Sequence, residues 1–174
     1  VKFSLNPKDI VVMEPGVVTI HGLKGGKNVE TDRIRLSTHL DAAADGSFVF
    51  NGKDDPHFTA ANAFAATADT KQILDASFGE VADSTGHAQL TVNADKGRDF
   101  NAYFQPGENT IKFFHGADPV TKVNVKSGDA GDVVGHEYGH KDLNDRRPAY
   151  FNSWAPDPGA FHESYGDVVA FLGA

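Results

Sequence analysis

Residues 131–145 read GDVVGHEYGHKDLND, and this stretch constrains the chain more than any other. His136 and His140 lie four apart, and Glu137 directly follows the first. Residues four apart share a face on a helix, so a helical segment here aims two imidazoles at one point. Glu137 is then turned about 100° from His136 and can reach a water between the rings without being a ligand itself. Two neutral nitrogen donors beside a carboxylate base is the arrangement a catalytic zinc requires. Such a site takes a third protein ligand, so the fold must bring a second element to this helix.

Downstream of His140 the candidate ligands are Asp142, Asp145, Asp157, His162, Glu163 and Asp167. Asp142 and Asp145 lie in or just beyond the same helix, where reaching back to the ion is awkward. Glu163 and Asp167 are again four apart, within GAFHESYGDVVAFL. That segment reads as a helix with Phe161, Tyr165, Val168, Val169 and Leu172 on one broad face. One of its two carboxylates can bind the ion while the other accepts a hydrogen bond from the far nitrogen of a ligand histidine, fixing its tautomer. His162 points about 100° away from Glu163 and reads as a cleft or surface histidine. His21, His39, His57, His87 and His115 have no ligand-like spacing.

The rest of the chain reads as the scaffold for these two helices. Its first 55 residues hold short β-branched or aromatic runs, DIVVM, GVVTIHG, RIRL and GSFVF, bounded by turn residues. Residues 56–79 open with Pro, are rich in Ala and end in Gly, which predicts a helix. AQLTV (88–92) is a strand, and DFNAYFQPGENTIKFF (99–114) is a hairpin around PGEN. The histidine helix should begin near Asp129 and stop before NDRRP, because Pro148 cannot continue it. PAYFNSWAPDPG then reads as a loop. The expected fold is α+β in one domain, 1–174. It has a β-rich start (1–55), a helix and sheet with an edge-strand hairpin (56–127), and two site helices (128–174).

Composition narrows the function. A net charge of −8 opposes a nucleic-acid or anionic-membrane partner, each of which favours a basic face. No apolar run approaches the roughly 18 residues of a membrane span. With no cysteine, the ligands must be imidazole and carboxylate, and both the cytosol and bacterial secretion remain open. The chain begins VKFSL, with neither an initiator Met nor a signal peptide, as a processed form or an excised domain would.

DVVGHEYGH followed by GAFHESYGDV resembles the gluzincin metallopeptidases, in particular the thermolysin-like family. There an HExxH helix is followed by a helix carrying the third ligand, a Glu, with an Asp four residues on. The resemblance implies a zincin-like fold, one Zn²⁺ on His136, His140 and Glu163, and Asp167 behind a ligand histidine. Glu163 follows His140 by 23 residues, slightly more than is usual in the family, which implies a small insertion in the loop. NAYF (101–104) resembles the family's edge-strand motif, which implies that Asn101 and Ala102, with Tyr103 beside them, bind the backbone of a peptide substrate. The family's loop tyrosine falls near Tyr150, with Phe151 next to it. Asp132 matches a family calcium ligand whose partners lie in a segment this chain lacks, so no Ca²⁺ is assigned.

Residues and resemblance together predict a secreted bacterial zinc endopeptidase acting on peptide or protein substrates. Glu137 is its general base, and Tyr150 and His162 are candidate donors to the developing oxyanion. Family members carry a second, mostly helical lobe after the glutamate helix, and this chain ends eleven residues beyond Glu163. The alternative is therefore a zinc-binding module or incomplete protease lobe, inactive until a C-terminal lobe is supplied. A third reading takes the Asp-rich chain as an extracellular β-domain for adhesion or calcium binding, with HExxH incidental and no zinc held.

Overall fold

The computed structural model describes residues 12–14, 17–19, 29–38, 40, 49–51, 57–151 and 156–173. Three short strands, β1 (Val12–Glu14), β2 (Val17–Thr19) and β4 (Val49–Asn51), form an antiparallel sheet in the order β1-β2-β4. The main sheet runs β3-β5-β7-β6, built from β3 (Ile34–Leu36), β5 (Leu90–Asn93), β7 (Thr110–Phe113) and β6 (Ala102–Gln105). A third pair, β8 (His115–Ala117) and β9 (Asn124–Lys126), stands apart from it.

The strand β3 is parallel to β5 and β5 to β7, whereas β6 returns antiparallel to β7 with Ala102 opposite Phe113 and Gln105 opposite Thr110. In β5 burial alternates, Leu90 and Val92 inward, as a half-covered strand requires. Every residue of β7 is buried because it lies between two neighbours. The predicted hairpin is present, closed by a single turn at Pro106–Glu108 and by Asn109 in the left-handed region (φ 46°). It leaves β6 at the sheet edge.

Helix α1 (Phe58–Phe78) supplies the crossover from the early strands to β5. Its first eight residues, Phe58–Ala65, are all buried, and small alanines let it lie between sheet and helices on every side. Phe64 and Leu74 meet Ile34, Val92, Ile111 and Phe113 in the core, with Val134 and Tyr138 arriving from α2 (Gly131–Arg146). Gly79 ends α1 at φ 80°, its amide bonded to the Asp75 carbonyl at 2.9 Å.

Three expectations need correction. Helix α2 runs to Arg146 instead of stopping before Asn144, since Asp142–Arg146 and Lys141–Asp145 pairs at i,i+4 hold its last turn. The expected loop after it opens with one helical turn, α3 (Pro148–Phe151), and α4 (Pro156–Gly173) starts three residues before Gly159, with proline tolerated at a helix start. Residues 152–155 lie outside the described set. The apolar face assigned to the last helix holds only in part: Val169 is buried and Tyr165 packs against the core. Phe161, Val168 and Leu172 are 45–56 % exposed, while the buried stripe is His162, Gly166 and Val169.

The reason lies in glycine. A Cβ on Gly139 would stand 2.9 Å from the Gly166 Cα, and one on Gly135 would stand 3.2 Å from the Ala170 Cα. Helices α2 and α4 approach so closely that glycine is needed at Gly139 and Gly166, where Val169 and the His136 ring take the space a side chain would fill. Shape therefore overrides hydrophobicity in choosing which face of α4 is buried.

Candidate metal centre

Helix α2 directs His136, Glu137 and His140 toward the floor of a cleft of ≈ 490 Å³ beside β6. The helix is held by its buried flank, Val134 and Tyr138, more than by propensity, since three glycines interrupt it. The two imidazoles stand perpendicular with centroids 4.7 Å apart. Donor atoms of His136, Glu137 and His140 all lie within 4.8 Å of one another.

Close packing of α4 brings Glu163 across the seam. Its carboxylate oxygens lie 3.3 Å from His136 Nε2 and 3.7 Å from His140 Nε2. Zinc ligands at about 2.0–2.1 Å in a tetrahedron stand about 3.3 Å from each other, so this donor set matches the ion in type and spacing. Gly166 makes room for it, because a Cβ there would meet the His136 ring at 2.8–3.0 Å.

Both rings turn Nε2 toward Glu163 and are backed on Nδ1 by α4. His136 Nδ1 is 3.0 Å from Asp167 Oδ1, and His140 Nδ1 is 3.1 Å from His162 Nδ1. Asp167 is exposed, whereas His162 is 7 % exposed and lines the cleft, so of the two places expected for it, cleft or surface, it takes the cleft.

Burial pushes the Glu137 carboxyl up to about 7, against the opposing pull of His136 and the Phe104 backbone amide, with the Glu163 charge pushing the same way as burial. Its Oε2 is buried and has no hydrogen-bond partner among the described residues. Burial, then the neighbouring His136 and His162, lowers His140 to about 4, which leaves its imidazole neutral and free to coordinate. Burial lowers His162 as well, with Glu163 pulling it back.

Every residue predicted for the site except Asp167 lines the cleft. Asn101 sits just ahead of β6. Its side-chain Oδ1 accepts from the Ala102 amide at 2.9 Å, and its carbonyl accepts from Ser127 Oγ at 2.9 Å. Tyr103 lies beside Phe114, ring centroids 5.6 Å apart, with the Lys112 ammonium 5.7 Å over its face. Tyr150 stacks on Phe161 at 5.5 Å, while Phe151 stands edge-on to His162 at 4.2 Å and to Phe104 at 5.8 Å. Phe151, not Tyr150, packs against the histidines. Phe104 and Gly159 also line the cleft, and sequence reasoning gave neither a role. The even in–out alternation of a strand could have placed Phe104. Nothing local marks Gly159.

The chain has a mixed α+β fold that matches that of a solved metalloproteinase precursor. The solved structure that carries the comparison is the precursor of protealysin, a metalloproteinase from Serratia proteamaculans, with a TM-score of 0.53 and 19 % identity over 87 % of this chain. This chain spans 46 % of that one. No family model and no curated protein matches the sequence. None of the described helices is long and apolar enough to cross a membrane.

Proposed function

We propose that the chain is a zinc-dependent endopeptidase. The observation that carries this reading is the convergence of His136, His140 and Glu163 around one point, with a buried, unpartnered Glu137 oxygen beside it. Glu137 is close enough to be counted a donor, but the exposed Glu163 carboxylate faces both Nε2 atoms and is the better third ligand. A zinc ion held there polarises a scissile carbonyl and makes a neighbouring water acidic.

The chain's own groups do the rest. Glu137, near pKa 7 and lining the cleft, takes a proton from a water there and hands it to the leaving amine. The outer edge of β6 offers main-chain groups to an extended peptide of any sequence, with Asn101, Ala102 and Tyr103 along it. Tyr103, Phe104 and Phe151 give that cleft an apolar wall. A secreted bacterial setting suits such an enzyme, and the net charge of −8 sets nucleic acid aside.

One observation favours the second reading, a zinc-binding module or a lobe inactive alone. Phe161, Val168, Phe171 and Leu172 of α4 are exposed, and a further lobe covering them could also bring the oxyanion donor. Hydrolysis of casein by this chain, with zinc, with a chelator and as Glu137→Gln, separates the two. Cleavage that needs both zinc and Glu137 is expected. A folded, zinc-loaded chain that leaves casein intact would favour the module, and equal cleavage by Glu137→Gln would remove Glu137 as the base.

A further inference from the structure

The two candidate ligand histidines are backed differently. Asp167, an exposed carboxylate, stands behind His136, and that arrangement was legible from its spacing with Glu163. Behind His140 stands another imidazole, His162, Nδ1 to Nδ1 at 3.1 Å. Two ring nitrogens at that distance share one proton: one donates and the other accepts. The nitrogen of His140 nearest Glu163 is Nε2, 3.7 Å from its Oε1, and must be bare to coordinate. The His140 proton therefore sits on Nδ1 and points at His162, whose own Nδ1 accepts it. The remaining His162 proton is left on Nε2.

That Nε2 is buried and without a hydrogen-bond partner among the described residues. The residue lines the cleft, but this nitrogen is closed off from solvent, so donation to a substrate oxyanion is not the role its geometry favours. Nor is His162 a further ligand, since it meets His140 on the nitrogen turned away from Glu163. Phe151 packs nearly perpendicular to the His162 ring at 4.2 Å. A buried donor left unpaired is unfavourable, and the arrangement makes physical sense only through what the other ring nitrogen does.

We propose that His162 is a positioning residue whose Nδ1 accepts the Nδ1 proton of His140 and so holds His140 Nε2 toward the zinc. His162 thereby does for His140 what Asp167 does for His136, without adding a negative charge. The assignment rests on the zinc reading above.

The test compares wild type, His162→Ala and His162→Asn, the last placing an amide oxygen near the position of Nδ1. Zinc affinity is read by competition with a chromophoric chelator, and the His140 tautomer by ¹⁵N NMR of the metal-free protein. Wild-type His140 should hold its proton on Nδ1. His162→Ala should mix the tautomers and weaken zinc binding 10–100-fold, and His162→Asn should restore both. Wild-type affinity and tautomer in His162→Ala would overturn the assignment, as would an Asn variant no better than Ala, which marks a packing role. A 10²–10³-fold loss of turnover at saturating zinc with affinity unchanged would also overturn it, by marking His162 as a substrate donor. If wild type binds no zinc the proposed function fails, yet the tautomer measurement still decides the His140–His162 bond.

Discussion

Helix α2 carries two clusters of ionisable groups on neighbouring residues, and they are built in opposite ways. Lys141, 4 % exposed, bonds Asp83 Oδ2 at 2.7 Å and also Asp145. Asp83 in turn accepts from Asn109 Nδ2 at 2.8 Å, and Asp145 from the Ser84 amide and hydroxyl. Every charge there has an opposite charge and a hydrogen bond. At the adjacent His140, by contrast, the groups converge on a gap, and Glu137 Oε2 and His162 Nε2 are buried without a partner among the described residues. A closed network joins elements 58 residues apart and fixes the loop before β5 to α2. An open one leaves the ligand atoms of His136, His140 and Glu163 facing one another across a gap. On one helix, then, the charges of one cluster are paired with one another, while those of the other are left to meet a ligand.

The comparison can be broken from either side. The largest expected effect is on the open cluster: Glu137→Gln should lower turnover by about 10²–10⁴-fold while zinc content stays at one per chain. Next comes the closed cluster. Lys141→Met leaves Asp83 and Asp145 facing each other without their cation, and urea unfolding of the metal-free protein should show a loss of about 3–5 kcal/mol. Zinc affinity should change little. A Lys141→Met protein as stable as wild type would mean that the pairing is decorative and the contrast empty.

Smaller effects sharpen the contrast. Asp167→Ala should weaken zinc binding 10–100-fold yet leave stability within about 0.5 kcal/mol, because a side chain 78 % exposed contributes little to folding. Equal affinity would detach Asp167 from the site. The smallest effect is a pH dependence. Burial alone would raise Asp83, but the Lys141 and Thr85 hydrogen bonds outweigh it and hold the carboxyl at about 2, below its ordinary 3.8. Its contribution is present above pH 3.8 and is lost as pH falls through 2. Solvent screening reduces that contribution to about 1 kcal/mol. Asp83→Asn should flatten the acid limb of stability between pH 4 and 2, and an unchanged limb would exclude Asp83 as its origin.

Local features were legible in the sequence and long-range ones were not. The four-residue spacings of His136/His140 and Glu163/Asp167 follow from one helix period each, and so does their facing. The α+β order, the Ala-rich α1 with Gly79 behind it, and the PGEN hairpin rest on local propensity and turn chemistry in the same way. The buried face of α4 was read correctly at Val169 and Tyr165 but missed at Phe161, Val168 and Leu172, because the seam is set by Gly135, Gly139 and Gly166, whose effect depends on the neighbouring helix. The bond from His162 to His140 and the placement of Phe151 over His162 span elements, so no periodicity carries them. The Lys141–Asp83 pair escapes for the same reason.

X-ray absorption at the zinc edge of the zinc-loaded chain tests the central claim most directly. The account predicts one zinc per chain, two imidazole nitrogens and a carboxylate oxygen at about 2.0–2.2 Å, and a fourth position that an added small anion can occupy. A zinc closed by four protein ligands, or a spectrum unaltered by His136→Ala, would contradict it.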